Sequence, residues 1–342
     1  MELALQELAA RFGLELRGDP ATRIRGVCSL APGRDGCISF LADPALEKQL
    51  TATRAAAVIL RPALAGACRV AALISDNPLL DYARIAALWD RRILPAPGVH
   101  PTAFVNSQAR VDPSASIGPH AVVQAGARIG PGVEVGPGCV IGHNAEIGAG
   151  SRLVANVSVA DRVSIGQRVT IEPGAVIGGR GFGLARDGER WVEIPQLGSV
   201  RIGDDVEIGA NATIDRGAIE DTVIEDGVKL DSHVHIGHNC RIGAHTVIAG
   251  CSAIAGSVTI GRGCVLAGAV GIVDHVILGD NVVVTARSLV TRDLTEPGMY
   301  SSGWGAVPAA EWRRQVASLR RLAERPARGK SRPRRGQSGE DR

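Results

Sequence analysis

The sequence predicts a mainly β protein in which a parallel β-helix follows a small α/β domain and precedes one helix. The first observation is a six-residue repeat. Val, Ile or Leu occupies every sixth position from Val99 to Ile177 and again from Ile224 to Val290. This spacing fits neither a helix nor a half-buried strand, and it is typical of a hexapeptide β-helix. The second is an aromatic content of only 3%, as expected of a core built from stacked aliphatic side chains.

Each repeat unit begins with the aliphatic residue and continues with turn-forming residues, as in Ile117-Gly118-Pro119. Three units are expected to close one triangular coil, so that residues 18 apart stack with coils about 4.8 Å apart. The two ends of such a stack are sheet edges and need caps. The flanking segments fit that need.

Residues 1–98 lack the six-residue period and predict a small α/β domain. Its predicted elements are a helix over 2–12, strands over 37–41 and 57–60, and a helix over about 78–89. Asp76 or Asn77 is the expected N-cap of the last helix, because Pro78 suits its first turn.

The β-helix is expected over 99–307, a helix over 308–325 and a disordered basic tail over 326–342. Two segments, 178–201 and 215–222, interrupt the period. A loop as long as the first usually has a functional role, whereas the second is short enough to be a bulge.

Composition narrows the function classes. The net charge of +3 indicates no strong field for nucleic acid, and no apolar run is long enough to span a membrane. The N-terminal residues suit an amphipathic helix and not a signal peptide. Seven cysteines show no paired motif, so we expect reduced thiols in a cytoplasmic protein, with Cys139, Cys240, Cys251 and Cys264 as small fillers in the repeat.

Four of the eight histidines cluster at His233, His235, His238 and His245. They permit three interpretations: a metal site with convergent ligands, solvated turn residues, or a general base that accepts a proton near neutral pH. The residues that lie 18 positions after His238 bear on the third interpretation, the general base.

Gly256 lies 18 residues after His238, and Asp274, next to His275, lies 18 residues further. A glycine allows close approach of a backbone N–H to a substrate, and such a group can stabilise the oxyanion of acyl transfer. No nucleophile is paired with His238, so direct attack by an acceptor is favoured over an acyl-enzyme. Asp231 is the expected partner that orients the imidazole.

Several stretches resemble the UDP-3-O-(3-hydroxyacyl)glucosamine N-acyltransferase (LpxD) family, nearly to residue 325. They are SFL at 39–41, NPLLDYAR at 77–84, GFG at 181–183, IPQLG at 194–198, TIDRG at 213–217, IGHN at 236–239, IAGS at 254–257 and TEPGMYSSG at 295–303. Together they are far more specific than the repeat alone.

The resemblance implies a left-handed β-helix, a homotrimer and a place in lipid A biosynthesis. A 3-hydroxyacyl chain would pass from acyl carrier protein to the 2-amino group of UDP-3-O-acylglucosamine, with no cofactor besides the donor's 4'-phosphopantetheine and no metal. His238 matches the catalytic base, Gly256 the oxyanion amide and His275 a second active-site histidine. The C-terminal helix would meet the acidic carrier protein through Arg313, Arg314, Arg320 and Arg321.

The resemblance also implies substrate contacts. Phe40 matches the residue that stacks on uridine, and Phe182, Gln196 and His235 are expected to contact substrate. The chain departs from the family at Asp43 and Leu46, where Asn and Tyr usually contact uracil. Asp cannot donate as Asn does and Leu lacks the aromatic face, so weaker uridine recognition is expected.

Further departures lie near the expected site: His233 and His235 stand where Gln is common, Arg180 stands where Asp is common, and 287–291 differs, which leaves acyl length open. Alternative functions are the related β-helix O-acyltransferase, a sugar N-acetyltransferase that uses acetyl-CoA, a hexapeptide acyltransferase acting on another nucleotide-sugar, a zinc-binding β-helix protein, or a non-catalytic scaffold. Asn239 argues against the O-acyltransferase, which normally has Asp there.

Overall fold

The computed structural model describes residues 1–323, so the predicted tail over 326–342 and the end of the predicted 308–325 helix lie outside the described residues. The chain forms two compact units, Met1–Leu94 and the remainder from Pro95. The described part contains no helix long and apolar enough to cross a membrane.

The first unit is an α/β domain around a five-stranded mixed sheet. In spatial order its strands are Glu15–Arg17, Ala71–Ile74, Ala57–Leu60, Cys37–Leu41 and Gly26–Val27. The helices are Leu5–Phe12 and Pro78–Ala86, with 3-10 turns at Pro44–Thr51, Pro62–Ala67 and Ala87–Trp89. Apolar residues of the helices and the sheet, including Leu8, Ile59 and Ile85, form the buried core.

Both predicted strands of this unit are confirmed, and Asn77 is the N-cap of the second helix, accepting from Leu80 N at 3.3 Å. The first helix begins at Leu5 and not at residue 2. Leu3–Ala4 instead pairs antiparallel with the strand Arg23–Ile24, which fixes the residues before the helix in an extended conformation.

The second unit is a parallel β-solenoid with three faces. The long face consists of Gly98–Val99, Ser116–Ile117, Glu134–Val135, Arg152–Leu153, Thr170–Ile171, Glu207–Ile208, Lys229–Leu230, Val247–Ile248, Val265–Leu266, Val282–Val284 and Gly298–Tyr300. The short face consists of Arg110–Val111, Arg128–Ile129, Glu146–Ile147, Ser164–Ile165, Val200–Ile202, Thr222–Ile224, Arg241–Ile242, Thr259–Ile260 and Ile277–Leu278.

The third face carries the histidine cluster and is called the histidine face. It consists of Phe104–Val105, Val122–Val123, Val140–Ile141, Ser158–Val159, Val176–Gly179, Thr213–Asp215, His235–Ile236, Ala253–Ile254, Gly271–Ile272 and Leu289–Val290. The three faces confirm the predicted left-handed β-helix fold class.

The predicted stacking is confirmed strand by strand. Ile117 pairs with Val135 and Ile236 with Ile254, each 18 residues on. At the first interruption Ile177 pairs with Ile214 instead. The intervening chain leaves the solenoid as an antiparallel hairpin of Leu184–Asp187 and Arg190–Glu193. The solenoid therefore absorbs both insertions without losing its inward register.

The core is the column of inward aliphatic side chains. Ile141, Ile177 and Ile236 are fully buried, and full burial of one such side chain stabilises the fold by ~1.5–3 kcal/mol before entropy losses. Cys139, Cys240 and Cys264 fill small buried positions as expected. Cys251 does not: it is exposed, because it occupies a turn with φ +60°.

A left-handed turn residue recurs three positions after many inward aliphatics. Asn239, Ser257 and His275 form one such vertical row, with φ between 59° and 61°. This conformation favours Gly or Asn, so turn-forming residues follow the aliphatic position. The same rule makes the residue before it, such as His238, a corner position that faces outward.

The C-terminal helix is Ala309–Ala323. Before it, Trp304 packs edge to face against Trp312 with ring centroids 5.2 Å apart. Arg313, Arg314, Arg320 and Arg321 are all exposed on this helix.

Candidate active site

His238 lies at the corner where the chain leaves the histidine face, two residues after the inward Ile236. Gly256 holds the same place one coil further on, since Ile236 pairs with Ile254 and Ser257 N donates to His238 O at 2.8 Å. A Cβ on Gly256 would lie only 2.6 Å from His238 Nε2. The imidazole therefore lies directly against Gly256, and any larger residue would displace it.

The N–H of Gly256 has no hydrogen-bond partner among the described residues. At some corresponding corners the amide is capped by an aspartate of the next coil. Gln167 N donates to Asp204 Oδ1 at 2.8 Å, and Arg262 N donates to Asp280 Oδ1 at 2.7 Å. An uncapped amide beside a histidine ring nitrogen is the arrangement that stabilises a developing oxyanion next to a base.

Asn239 determines which ring nitrogen of His238 carries the proton. Its Oδ1 accepts from Ala218 N at 2.9 Å and its Nδ2 donates to Glu220 O at 3.2 Å, so two backbone groups fix the orientation of the amide. The same Oδ1 lies 3.0 Å from His238 Nδ1. An oxygen can only accept, so Nδ1 is the donor, and in the neutral imidazole Nε2 keeps the free lone pair.

The expected orienting role of Asp231 is wrong in this structure. Its carboxylate accepts from Ser232 N at 2.7 Å and from Gly250 N at 2.9 Å, and thereby stabilises two turns. Asn239 contacts the imidazole instead. In the sequence, Asn239 served only to distinguish related families. Its contact with the imidazole could not be predicted, because the second interruption, which holds its amide, does not follow the six-residue period.

Asp215 is a second residue near His238 that sequence reasoning did not assign. His235 Nδ1 lies 2.8 Å from Thr213 Oγ1, and its Nε2 lies 3.9 Å from Asp215 Oδ2. Burial raises the pKa of the Asp215 carboxyl, while His235 and His238 oppose the rise. The sequence did carry a signal for Asp215, because this residue opens the second interruption and lies within the TIDRG stretch.

The loop of the first interruption packs against His238. A Cβ on Gly181 would lie 2.8 Å from His238 Cβ and 2.5 Å from Gln196 Oε1. Gln196 Nε2 donates to Ile194 O at 3.0 Å, whereas its Oε1 is buried without a hydrogen-bond partner in the described structure. Gln196 Oε1 is thus a buried, unpaired acceptor close to His238. Phe182 is 81% exposed, so most of its ring faces solvent.

Two arginines hold the loop near the points where it leaves and rejoins the solenoid. Arg216 donates from Nε to Gly178 O and from Nη2 to Asp161 O, both at 3.0 Å, and Arg162 donates to Leu197 O at 3.1 Å. Arg180 pairs with Glu193 at 2.9 Å, within the loop.

His275 lies in the coil after Gly256, where its N–H donates to Gly256 O at 3.1 Å and its side chain is exposed. His233 and His245 are exposed left-handed turn residues, with φ of 60° and 59°. That geometry matches the interpretation of these two as solvated turn histidines. The described residues contain no group of three His, Cys, Asp or Glu that could hold a metal ion.

The expected uridine residues lie together in the first unit. Phe40 stacks on Tyr82 with ring centroids 4.3 Å apart. Asp43 caps the 3-10 turn that follows it, accepting from Ala45 N at 2.9 Å, so this carboxylate is already engaged by the backbone. Leu46 in the same turn is exposed.

Comparison with known proteins places these features in a family context. Residues 21–88 match the family model for UDP-3-O-(3-hydroxymyristoyl) glucosamine N-acyltransferase, LpxD. Residues 125–155 and 221–256 match the bacterial transferase hexapeptide model, and residues 199–232 match the hexapeptide repeat of succinyl-transferase.

Relatives named UDP-3-O-acylglucosamine N-acyltransferase match almost the whole chain. The protein of Herminiimonas arsenicoxydans is 46% identical over 94% of both chains, and that of Pseudomonas aeruginosa strain UCBPP-PA14 is 49% identical over 94% of this chain and 91% of its own. A solved Arabidopsis UDP-N-acetylglucosamine acyltransferase is 22% identical, with a TM-score of 0.56 over 66% of this chain and 80% of its own. That likeness concerns the fold alone.

Proposed function

The chain belongs to the UDP-3-O-acylglucosamine N-acyltransferase family, and on that premise we propose that it moves a 3-hydroxyacyl chain from acyl carrier protein to the 2-amino group of UDP-3-O-acylglucosamine. This is a step of lipid A biosynthesis in the cytoplasm. The observation that carries the proposal is the free lone pair of His238 Nε2 against the uncapped Gly256 amide. A base and an oxyanion donor at one point are what aminolysis of a thioester requires.

In the proposed mechanism His238 Nε2 removes a proton from the acceptor amine while the nitrogen attacks the thioester carbonyl. The carbon–nitrogen bond forms and the Gly256 N–H donates to the oxyanion. The carbon–sulfur bond then breaks, and the imidazolium returns the proton to the leaving thiolate.

The neighbouring thiol supports direct transfer. Cys240 is the cysteine closest in sequence to His238, but its side chain points into the core, where burial raises its pKa to about 12. A thiol that stays protonated is a poor nucleophile. An acyl-enzyme on Cys240 is therefore disfavoured.

We assign the donor's 4'-phosphopantetheine arm to the substrate, with no cofactor resident in the protein. The exposed arginines of the C-terminal helix supply positive charge for an acidic carrier protein. Exposed apolar residues on the solenoid, among them Val247, Val265 and Leu289, suit burial between the subunits of a homotrimer. His275 would act beside Gly256, at the donor side of the site.

We propose that the stacked Phe40 ring holds uridine and that Asp43 and Leu46 would be the residues facing the uracil ring. Because the Asp43 carboxylate already caps a turn, we expect weaker nucleotide binding than an Asn–Tyr pair would give.

The proposal is tested by mass spectrometry of purified protein supplied with UDP-3-O-acylglucosamine and 3-hydroxyacyl carrier proteins of several lengths. A product with a second, amide-linked acyl chain supports it, and the preferred donor gives the acyl length. Acylation of a different nucleotide-sugar would point to a changed acceptor. Failure with every donor and acceptor would favour a non-catalytic role.

A further inference from the structure

Asp215 occupies a position where neighbouring coils have only small residues. It follows the inward Ile214, as Gly237 follows Ile236 and Ala255 follows Ile254. A Cβ on Gly237 would lie 2.8 Å from Gly256 N, so the regular turn has little room there. The room at Asp215 comes from the irregular register beside it and from the second interruption, which begins at this residue.

The Asp215 carboxylate is largely enclosed, with 14% of its side chain exposed, and within the described part of the chain its ion-pair partner is His235. The guanidinium of Arg216 points away, to Gly178 O and Asp161 O. Across the neighbouring strand, Arg180 is already paired with Glu193.

Thr213 pairs with His235 and Ile214 with Ile236, so Asp215 lies beside Gly237, the residue before His238, in the coil next to that of Cys240. Cys240 stays neutral near pH 7, since its pKa is about 12. The enclosed carboxylate therefore lies in the register of His235 and next to the His238 corner, and no Lys or Arg of residues 1–323 forms an ion pair with it.

We propose that Asp215 is a positioning residue whose carboxylate stabilises the protonated form of His238 while the proton is in transit between amine and thiolate. The inference rests on the proposed role of His238 as base. The group that contacts Nδ1 is the neutral Asn239 amide, which fixes the tautomer but brings no charge. Asp215 supplies the negative charge through space, and His235 competes for it when protonated.

The test compares Asp215→Asn with wild type in kcat, KM and the pH profile of kcat/KM. Loss of an opposite charge near the base moves the acid limb of the profile to lower pH, by about one unit, and lowers kcat by roughly tenfold or more with little change in KM. Asp280→Asn is the matched control: it removes a carboxylate from a distant corner and is expected to leave the profile unchanged.

A second variant, His235→Gln, keeps Asp215 charged and removes the competing cation. The acid limb is then expected to move to higher pH, the opposite direction. This variant also tests the proposal should Asp215→Asn fail to fold.

Profiles that coincide with wild type for both variants would overturn the role of Asp215, provided that His238→Ala is inactive. Full activity of His238→Ala would instead overturn the proposed base. The two failures are therefore distinguishable.

Discussion

At the scale of single residues, the proposed site combines His238 with Gly256 and Asn239 and, in our further inference, with Asp215. Gly256 could be predicted from the spacing of 18 residues, because the inward register fixes which corner residues stack. Asn239 and Asp215 could not, since both contacts depend on the path of the second interruption. Asp231 was a plausible partner by sequence distance, but the amides of Ser232 and Gly250 already engage its carboxylate.

Gly256→Ala is expected to lower kcat by roughly a hundredfold or more, because the new methyl group would collide with the His238 imidazole and crowd the oxyanion site. Steady-state kinetics with thermal unfolding measure the effect on turnover apart from folding. Gly268→Ala is the control, as a Cβ there meets only Gly250 O at 3.5 Å. Equal activity of the Gly256 and Gly268 variants would contradict the proposed role of the Gly256 amide.

Asn239→Gly keeps the left-handed turn, where φ is 59°, but removes the group that fixes the His238 tautomer. Kcat is expected to fall by about 10–100-fold, as for other residues that orient a ligating or catalytic histidine. Asn281→Gly, at another left-handed turn with φ 57°, controls for the loss of an asparagine. If both variants lose activity equally, the effect belongs to the turn and not to His238.

At the scale of elements, the loop of the first interruption lies against His238. Its length predicted a functional loop, and Gly181 packs against His238. The hairpin within it was not predicted, because Leu184–Asp187 and Arg190–Glu193 are exposed strands without a buried face to impose a hydrophobic pattern.

Arg216→Ala removes two hydrogen bonds, to Gly178 O and Asp161 O, that hold the start of this loop to the solenoid. Amide hydrogen exchange is expected to rise over 178–198 while the inner strands stay protected, and kcat is expected to fall several-fold because Gly181 no longer packs on the base. Arg186→Ala, which loses its contact with Trp191 and its hydrogen bond to Gly188 O within the hairpin, is the control. Unchanged exchange in the Arg216 variant would show that the loop is held by other contacts.

At the scale of the whole molecule, the six-residue period defines the solenoid almost completely, since one inward aliphatic per strand decides both register and core. The period does not predict every position correctly. Cys251 fits the pattern of a small filler but occupies an exposed turn. The residues 1–98 have no repeat, so there the strand edges had to be inferred from local composition.

Buried thiols make the folded molecule sensitive to alkali. Burial raises the pKa of Cys139, Cys240 and Cys264, to about 12 for Cys240. A thiol whose pKa is higher in the folded state stabilises the fold fully below its unfolded pKa, near 8.5–9, and loses that contribution as pH rises toward the folded value. Thermal unfolding temperature is therefore expected to fall between about pH 9 and 12.

Cys240→Ala should make this alkaline decline shallower, since one thiol no longer has to ionise on unfolding. Cys251→Ala, which alters an exposed thiol, should leave the decline as in wild type. Identical slopes for all three proteins would contradict the argument from burial.

The central claim is that His238 is the base for direct acyl transfer over the Gly256 amide. A single-turnover reaction followed by intact-mass and product mass spectrometry tests it most directly. We expect amide-linked product without any acylated protein, and a rate lower by ~10²–10⁴ in His238→Ala. Near-normal turnover by that variant as a folded protein, or an acyl adduct on the chain that forms and decays with the product, would contradict the account.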